Sequence, residues 1–190
     1  MSAISITLQI AGLLWCVSEV ALNFLTRARR EGAKVRDRAS VIILWVAIAI
    51  GFAIAIVLSS IRATRIPFPV SWLDGIGLLV FAEGLAIRWT AILTLGRFFT
   101  ARVTIQQDHR VVRIGLFRYV RHPSYSGLFL AFFGVALQFH NWLSLLGILL
   151  PFFAALLYRI RVEEDAMVEA FGEDYMSHQR STSRLIPGIF

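Results

Sequence analysis

The chain has 190 residues, of which 57% are hydrophobic and 16% are charged, and its mean hydropathy is +0.70. A soluble domain of this length would expose too much apolar surface to water, so we expect a membrane protein. The net charge of +7 comes from 18 arginines and one lysine. Because no nucleic-acid motif accompanies it, this charge indicates membrane orientation. The single cysteine, Cys16, excludes an internal disulfide and a cysteine metal cluster.

The apolar runs predict about five membrane spans, since roughly 20 apolar residues cross the hydrocarbon core. The spans are expected at about 3–25, 39–61, 71–95, 124–139 and 142–158. The helical pattern continues beyond Tyr158 with charged residues and an apolar stripe, which is typical of an amphipathic helix. The predicted fold class is an all-α integral membrane protein with about five transmembrane helices and a C-terminal cytoplasmic amphipathic helix.

The distribution of basic residues predicts the orientation of these spans. Sixteen of the 19 arginines and lysines lie in 26–38, in 96–123 or after Tyr158. Basic residues accumulate on the cytoplasmic side of a membrane protein, so we expect these segments and the C-terminus to be cytoplasmic. The second span carries no ionisable group, and we expect it to be a scaffold that faces lipid.

Ionisable residues inside the predicted spans are candidates for function, because a charge within the bilayer needs a partner or a wet cavity. Arg88 is expected to point into the bundle, either as a structural ion pair with Glu19 or Glu83 or as a ligand-binding group. Glu164 falls in the apolar stripe of the last helix. It is expected either to pair with Arg118 or Arg121 or to bind hydroxyl groups or a cation. His140 is interpreted as a turn residue.

The stretch from Arg118 to Gly127 joins a basic loop to an apolar run. Pro123 favours a helix that begins at or just after it, which places His122 at the helix mouth. Unpaired backbone N–H groups and the helix dipole would favour a polar or anionic group there, and Arg118 and Arg121 add donors. The alternative is that the two arginines only anchor the helix at lipid headgroups.

Four motifs together resemble a known family. They are the run from His109 to Gly127, the pair Glu163-Glu164 about 40 residues later, Phe171-Gly172-Glu173-Asp174-Tyr175, and Arg184-Leu185-Ile186-Pro187. This pattern, over about 83–187, resembles the isoprenylcysteine carboxyl methyltransferase family. The resemblance implies an integral membrane enzyme that binds S-adenosylmethionine on its cytoplasmic side. Five spans resemble the short prokaryotic members, so a multi-pass protein of a prokaryotic inner or plasma membrane is expected.

The length of the chain predicts one compact unit, and the resemblance implies a set of site residues. One domain is expected over 1–190, with two scaffold spans in 1–70 and a catalytic core with the cofactor site in 71–190. Arg88 and Glu164 would be catalytic, and no metal site is expected. The residues carried over as cofactor-binding are Gly115, Tyr119, His122, Pro123, Tyr125, Glu163 and Glu164.

The predicted function is methyl transfer from S-adenosylmethionine to a lipophilic acceptor that enters from the bilayer. The expected acceptor is a carboxylate, isoprenylcysteine-like or of another small lipophilic acid, because a guanidinium such as Arg88 can orient it in a bidentate contact. An amine acceptor, as in phospholipid-type N-methyltransferases, would instead need a general base, for which Glu19 or Glu83 are the candidates.

Two further alternatives remain open. One is an NADPH-dependent membrane reductase of sterols or other enones, whose extra phosphate the basic loop could accept. The other is a non-catalytic lipid-binding protein in which the buried charges are only structural pairs. Membrane lipids are the expected surroundings, and no nucleic-acid partner is expected.

Overall fold

A computed structural model describes residues 3–28, 34–35, 39–100, 104–105 and 110–189. Within these residues the helices are α1 Ala3–Ala28, α2 Ala39–Leu58, α3 Val70–Leu95, α4 Pro123–Leu137, α5 Trp142–Phe171 and α6 Glu173–Ser181. Short 3-10 turns lie at Arg62–Thr64, Gly96–Phe98 and Gly115–Arg118. The expected all-α architecture is confirmed, apart from two strands of two residues each, β1 Lys34–Val35 and β2 Thr104–Ile105.

The short strands place two predicted loops at the same end of the helix bundle. β1 and β2 pair antiparallel, with Lys34 opposite Ile105 and Val35 opposite Thr104. The segments between α1 and α2 and between α3 and α4 therefore meet. We call this the loop end, and the opposite end, where α4 turns into α5, the hairpin end.

Three stretches are long and apolar enough to cross a membrane, judged by length and composition in the described part of the chain. They are Ala39–Leu58, Val70–Phe98 and Trp142–Phe171. Two apolar stretches are shorter, Ile6–Leu22 and Pro123–Leu137. α4 has 15 residues and is therefore only about 22 Å long, less than the ~30 Å hydrocarbon core. The protein has a multi-helix membrane fold, and the number of five spans stays a prediction.

α3 and α4 pack through glycines at their crossing. A Cβ on Gly84 would lie 2.6 Å from the carbonyl oxygen of Gly127, and a Cβ on Gly134 would lie 2.5 Å from that of Gly77. Such distances are possible only without side chains, so the two backbones are in direct contact. Gly77 and Gly84 are seven residues apart, as are Gly127 and Gly134, so each pair lies on one face of its helix.

α2 packs on α5, which runs without interruption past Pro151 and past Tyr158 to Phe171. Ser144 donates from its hydroxyl to the carbonyl oxygen of Ala55 at 2.8 Å. The predicted span 142–158 and the charged amphipathic stretch that follows it are thus parts of one helix. Groups near Arg159 are carried on the same rigid element as Glu163 and Glu164.

The hairpin end is closed by polar contacts around the turn from α4 to α5. The Nε2 of His140 lies 2.8 Å from Oδ1 of the buried Asp74, and His140 has a φ of 49°. The Oδ1 of Asn141 accepts from the backbone N–H groups of Leu143 and Ser144, which caps α5. These contacts agree with the interpretation of His140 as a turn residue.

Candidate functional site

The mouth of α4 is formed by His122 and Pro123, as the sequence predicts. α4 begins at Pro123, and the carbonyl oxygen of His122 accepts from the backbone N–H groups of Tyr125 at 2.9 Å and Ser126 at 3.1 Å. The segment before the helix pairs with the C-terminal tail, because the His122 N–H donates to the Arg184 carbonyl oxygen at 3.0 Å. His122 is buried, with 5% of its surface exposed.

Glu164 connects three elements at the loop end. Its Oε1 accepts from Arg121 Nε at 2.8 Å and lies 3.4 Å from His122 Nε2, and its Oε2 accepts from Arg184 Nε at 3.1 Å. Of the two partners that the sequence offered for Glu164, the structure selects Arg121, while Arg118 is exposed. The carboxylate therefore joins α5 to the loop before α4 and to the tail after α6.

A second set of contacts holds α6 and the tail against that loop. Arg121 Nη1 donates to the carbonyl oxygen of Gln179 at 2.9 Å and also to that of Thr182. Arg113 Nη2 lies 2.7 Å from Asp174 Oδ1. The C-terminal region of the described chain thus forms part of the wall of the site.

A cavity of about 100 Å³ opens beside His122, and it is smaller than the cavity among the helices described below. Its wall is largely aromatic and aliphatic and also carries polar groups from four elements, among them Arg121, His122, Tyr125, Glu163, Tyr175 and His178. Thr100 and Arg110 line it as well, and most of the stretch between these two residues lies outside the described part of the chain, as does His109.

Three of the seven predicted cofactor residues line this smaller cavity, namely His122, Tyr125 and Glu163. The other four, Gly115, Tyr119, Pro123 and Glu164, line neither cavity. Tyr119 is 60% exposed, and Gly115 occupies a turn with a φ of 58°. The family resemblance assigned all seven to one site, and in the structure three of them line the smaller cavity, while the cofactor roles of all seven stay predictions.

Tyr125 links two charged residues of α5. Its hydroxyl donates to Glu163 Oε2 at 2.6 Å and accepts from Arg159 Nε at 2.8 Å. Arg159 Nη1 also donates to the Ser40 hydroxyl of α2 at 2.9 Å, and Arg159 is 4% exposed. From the sequence, Arg159 was expected only to contribute to the orientation of the spans. Its position one turn before Glu163 was the signal that it shares the site face of the helix.

The larger cavity encloses about 500 Å³ between α1, α2 and α4. Its wall is mainly apolar and extends along α1 from Leu8 to Leu22, which corresponds to about 21 Å of helix. α1 packs mainly on α3, and α2 mainly on α5, so the space between α1 and α2 forms the cavity. The first two helices therefore line this cavity, and Ser40 of α2 accepts a hydrogen bond from Arg159.

At the loop end of this cavity lies the ion pair of Arg88 and Glu19. Arg88 Nε and Nη2 donate to the two carboxylate oxygens of Glu19, both at 2.5 Å. Arg88 Nη1 donates to the Ser124 hydroxyl at 2.9 Å, and the indole N–H of Trp15 donates to Glu19 at 2.9 Å. Glu83 is exposed on another face of α3. The buried partner of Arg88 is thus Glu19.

The two cavities share part of their walls. Tyr125, Arg159, Phe99 and Thr100 line both of them. His122 and Glu163 lie on the side of the smaller cavity, and Arg88 and Glu19 on the side of the larger one. The smaller cavity, which carries polar groups from four elements, and the apolar cavity among the helices therefore meet at Tyr125 and Arg159.

Two groups of α6 at the smaller cavity are uncharged near neutral pH. Burial and the nearby carboxylates of Glu163 and Glu164 raise the pKa of the Tyr175 phenol. Burial, helped by the positive charges of Arg113 and Arg121, lowers the pKa of His178. A neutral phenol and a neutral imidazole can each both donate and accept a hydrogen bond.

Comparison with known proteins identifies relatives of this chain. It is 34% identical over 122 residues to the protein-S-isoprenylcysteine O-methyltransferase of Tribolium castaneum, covering 63% of this chain and 43% of that protein. It is 29% identical over 120 residues to protein-S-isoprenylcysteine O-methyltransferase B of Arabidopsis thaliana, covering 62% and 61%. The chain thus spans about two fifths to three fifths of the length of these relatives. Both relatives are eukaryotic, and a prokaryotic source stays a prediction.

The fold has a counterpart among solved structures. The structure of the eukaryotic intramembrane Ras methyltransferase ICMT (isoprenylcysteine carboxyl methyltransferase) superposes with a TM-score of 0.55 at 31% identity, covering 80% of this chain and 52% of that one. Residues 75–169, half of the chain, match the isoprenylcysteine carboxyl methyltransferase (ICMT) family. This segment contains Arg88, His122, Arg159 and Glu163. The chain therefore belongs to the isoprenylcysteine carboxyl methyltransferase family.

Proposed function

We propose that this protein transfers a methyl group from S-adenosylmethionine to the carboxylate of a lipophilic acid that enters from the bilayer. The observation that carries the proposal is that a small cavity with several polar groups and a long apolar cavity meet at Tyr125 and Arg159. Two different reactants, one polar and one lipophilic, would come into contact there. The names of the relatives, isoprenylcysteine O-methyltransferases, point to the same reaction.

The residues of the smaller cavity fit the chemical parts of S-adenosylmethionine. Phe117, Met167 and Tyr175 offer apolar surface for an adenine ring. The carboxylate of Glu163 accepts hydrogen bonds from hydroxyl or ammonium groups, and Arg121 suits a carboxylate. The enclosed volume of about 100 Å³ is below the roughly 300 Å³ typical of a small-molecule site, so the described residues form part of the binding surface.

The bound cofactor supplies a methyl group activated by its positively charged sulfur. The residues of the chain then have to align the acceptor and exclude water. A carboxylate is ionised at neutral pH and needs no general base. The Arg159 guanidinium, which faces both cavities, and Arg88 would orient the acceptor oxygen toward the pocket of His122 and Glu163.

The larger cavity suits an acidic acceptor better than an amine. Among the described residues its charged lining consists of the guanidiniums of Arg88 and Arg159 and the carboxylate of Glu19. A bound carboxylate would balance these charges, whereas a cationic amine would add a third positive group in an apolar surrounding. Glu83, one of the two bases considered for amine chemistry, is exposed away from the cavity.

Glu164 has a positioning role in this proposal. It lines neither cavity and interacts with Arg121, His122 and Arg184. By holding these groups it would fix the mouth of α4 and close the tail over the smaller cavity. Gly115, Tyr119 and Pro123 would likewise shape the loop. Because the loop end carries most basic residues, we place it on the cytoplasmic side of the membrane.

The test is an assay of methyl-ester formation by the purified protein in lipid nanodiscs. Methyl-labelled S-adenosylmethionine is supplied with S-farnesyl-N-acetylcysteine, and the product is treated with base, which releases methanol from a methyl ester. We expect base-labile label with the acid and none with S-farnesylcysteamine, an amine of similar length. His122→Ala should reduce the binding of S-adenosylhomocysteine measured by calorimetry.

The outcomes separate this proposal from its rivals. Base-stable label on the amine would indicate N-methylation. A thermal shift with NADPH and none with S-adenosylhomocysteine would favour a reductase. If neither nucleotide ligand binds to the folded protein, the proposal is wrong and a lipid-binding role is left.

A further inference from the structure

The guanidinium that should receive the acceptor is occupied by a side chain of the protein itself. Glu19 reaches from α1 to Arg88 on α3 and contacts Nε and Nη2, both at 2.5 Å. This is the bidentate geometry in which an arginine holds the carboxylate of a ligand. Glu19 also lines the larger cavity, so its carboxylate lies where the head of a lipophilic acid would arrive.

The remaining nitrogen of Arg88 is engaged as well. Arg88 Nη1 donates to the hydroxyl of Ser124 at 2.9 Å and lies 3.3 Å from its carbonyl oxygen. All three guanidinium nitrogens therefore have partners within the protein. A second carboxylate can contact the fork of Arg88 only if Glu19 gives up its place.

We propose that Glu19 is a specificity-determining residue. Its carboxylate occupies the position on Arg88 where the acceptor carboxylate would bind, until an acidic acceptor displaces it. The exchange replaces one carboxylate at Arg88 by another. A neutral lipid cannot compensate the loss of the ion pair, because a buried guanidinium left without its carboxylate is costly. Membrane lipids without an acidic head would thus be excluded from the reacting position beside Arg88.

The surroundings of Glu19 permit this exchange. The indole N–H of Trp15 donates to Glu19 at 2.9 Å and belongs to the same helix, so this bond moves with α1. α1 has its main packing partner in α3 and borders the cavity on its other side. Arg159 lines the same cavity and offers a second positive group near the displaced carboxylate. The inference rests on the proposed acidic acceptor and deepens it.

Cys16 allows the exchange to be measured without cofactor or turnover. It is the only cysteine in the sequence and lines the larger cavity close to Glu19 on α1. The rate of its alkylation by N-ethylmaleimide would report occupancy of the cavity. Hexadecanoate and hexadecanamide at pH 8 serve as an acidic and a neutral probe of equal length, in nanodiscs of a zwitterionic lipid.

The decisive variant is Glu19→Gln, which removes the charge and keeps the shape. We expect hexadecanoate to protect Cys16 at an about ten-fold lower concentration than in the wild type, since a charged hydrogen-bonded pair no longer has to be broken. Protection by hexadecanamide should stay within two-fold of the wild type. The matched control is Glu83→Gln, which removes an exposed carboxylate outside the cavity and should behave as the wild type.

If Glu19→Gln does not fold, Glu19→Asp replaces it, because the shorter side chain reaches both nitrogens of Arg88 less well and should give a smaller shift in the same direction. An unchanged or raised hexadecanoate requirement in the folded variant overturns the proposal. So does wild-type protein that hexadecanamide protects as well as hexadecanoate. The methyl-ester assay can fail while the charge-dependent protection remains, in which case only the proposed activity is wrong.

Discussion

Gly127 of α4 crosses Gly84 of α3 so closely that a Cβ on Gly127 would lie 2.5 Å from the Gly84 carbonyl oxygen. The same atom would lie 2.6 Å from the backbone nitrogen of Arg88. The backbones are therefore in contact one helical turn from the guanidinium of the site. This crossing brings Arg88 within reach of Ser124, so two residues without side chains determine the position of a charged one.

Substitution of glycine by alanine at this crossing should separate the effect of helix packing from that of intrinsic helix propensity. Gly84→Ala introduces a methyl group 2.5 Å from the backbone nitrogen of Ala131, and such overpacking costs about 1–3 kcal/mol. The control is Gly75→Ala in the same helix, where nothing lies within 4 Å of the new Cβ. Thermal unfolding in detergent micelles should show a lower midpoint for Gly84→Ala and an unchanged or higher one for Gly75→Ala. Equal midpoints would show that the helices tolerate separation at the crossing.

Removal of the Glu164 charge should loosen the C-terminal tail. Glu164→Gln leaves Arg121 and Arg184 without their carboxylate, and the loss of one partner of a buried pair costs about 3–5 kcal/mol. We expect faster proteolysis after Thr182 and an about ten-fold or greater loss of S-adenosylhomocysteine affinity by calorimetry. The neighbouring exposed Asp165 provides the control, and Asp165→Asn should change neither quantity. If the tail is released but S-adenosylhomocysteine still binds with wild-type affinity, Glu164 does not contribute to the cofactor site.

Arg159 should affect turnover more than cofactor affinity. Arg159→Met keeps much of the apolar stem and removes the donors to Tyr125 and Ser40. The acceptor would lose its orientation, and we expect the rate of ester formation to fall by about 100-fold, in line with a misplaced reactant. S-adenosylhomocysteine should bind within a few-fold of wild-type affinity. Arg161→Met, at an exposed position of α5, is the control. A wild-type rate in Arg159→Met would show that Arg159 does not orient the acceptor.

Protonation of His178 should make the fold less stable in mild acid. Burial and the nearby arginines lower the pKa of His178 in the folded protein from its ordinary value of 6.5. The unfolded chain therefore takes up the proton first as pH falls below about 6.5, and the free energy of unfolding decreases. Above this pH both states are neutral and the residue has no effect. One such histidine contributes a slope of at most about 1.4 kcal/mol per pH unit.

The measurement is the unfolding midpoint between pH 7.5 and pH 5 for the wild type and for His178→Gln. We expect the variant to lose less stability over this range, because it carries no group that the unfolded state protonates first. Ser177→Ala, on the same helix at an exposed position, retains the wild-type slope. Identical curves for the wild type and His178→Gln would show that His178 is protonated equally easily in both states.

The start of α4 and the extent of the helices could be predicted from residues that are close together in the sequence. Pro123 restricts its own φ and the conformation of His122, so the start of α4 depends on two consecutive residues. The lengths of the apolar runs predicted the helices. The basic residues of the two loops predicted that both loops lie at one end of the bundle, and β1 and β2 pair there. These features arise from backbone geometry and from hydrophobicity, which a single segment carries by itself.

The tertiary structure decided which groups face each other. Glu19 and Arg88 are 69 residues apart, and the sequence left both Glu19 and Glu83 as candidate partners because both lie within predicted spans. Only the rotation of α1 and α3 against each other places one carboxylate in the guanidinium fork and the other on the outer face. Arg159 likewise faces both cavities only because α2 and α4 pack around its position on α5.

The sequence by itself determined the family, the helices and the residues around His122, because a motif and an apolar run are local properties of the chain. The tertiary structure decided that Glu164 contacts Arg121, His122 and Arg184 and lines neither cavity, and that Tyr125 and Arg159 line both cavities. A cavity is the space left between helices, and its shape depends on crossings such as Gly84 with Gly127. That information is shared by several segments and is present in none of them alone.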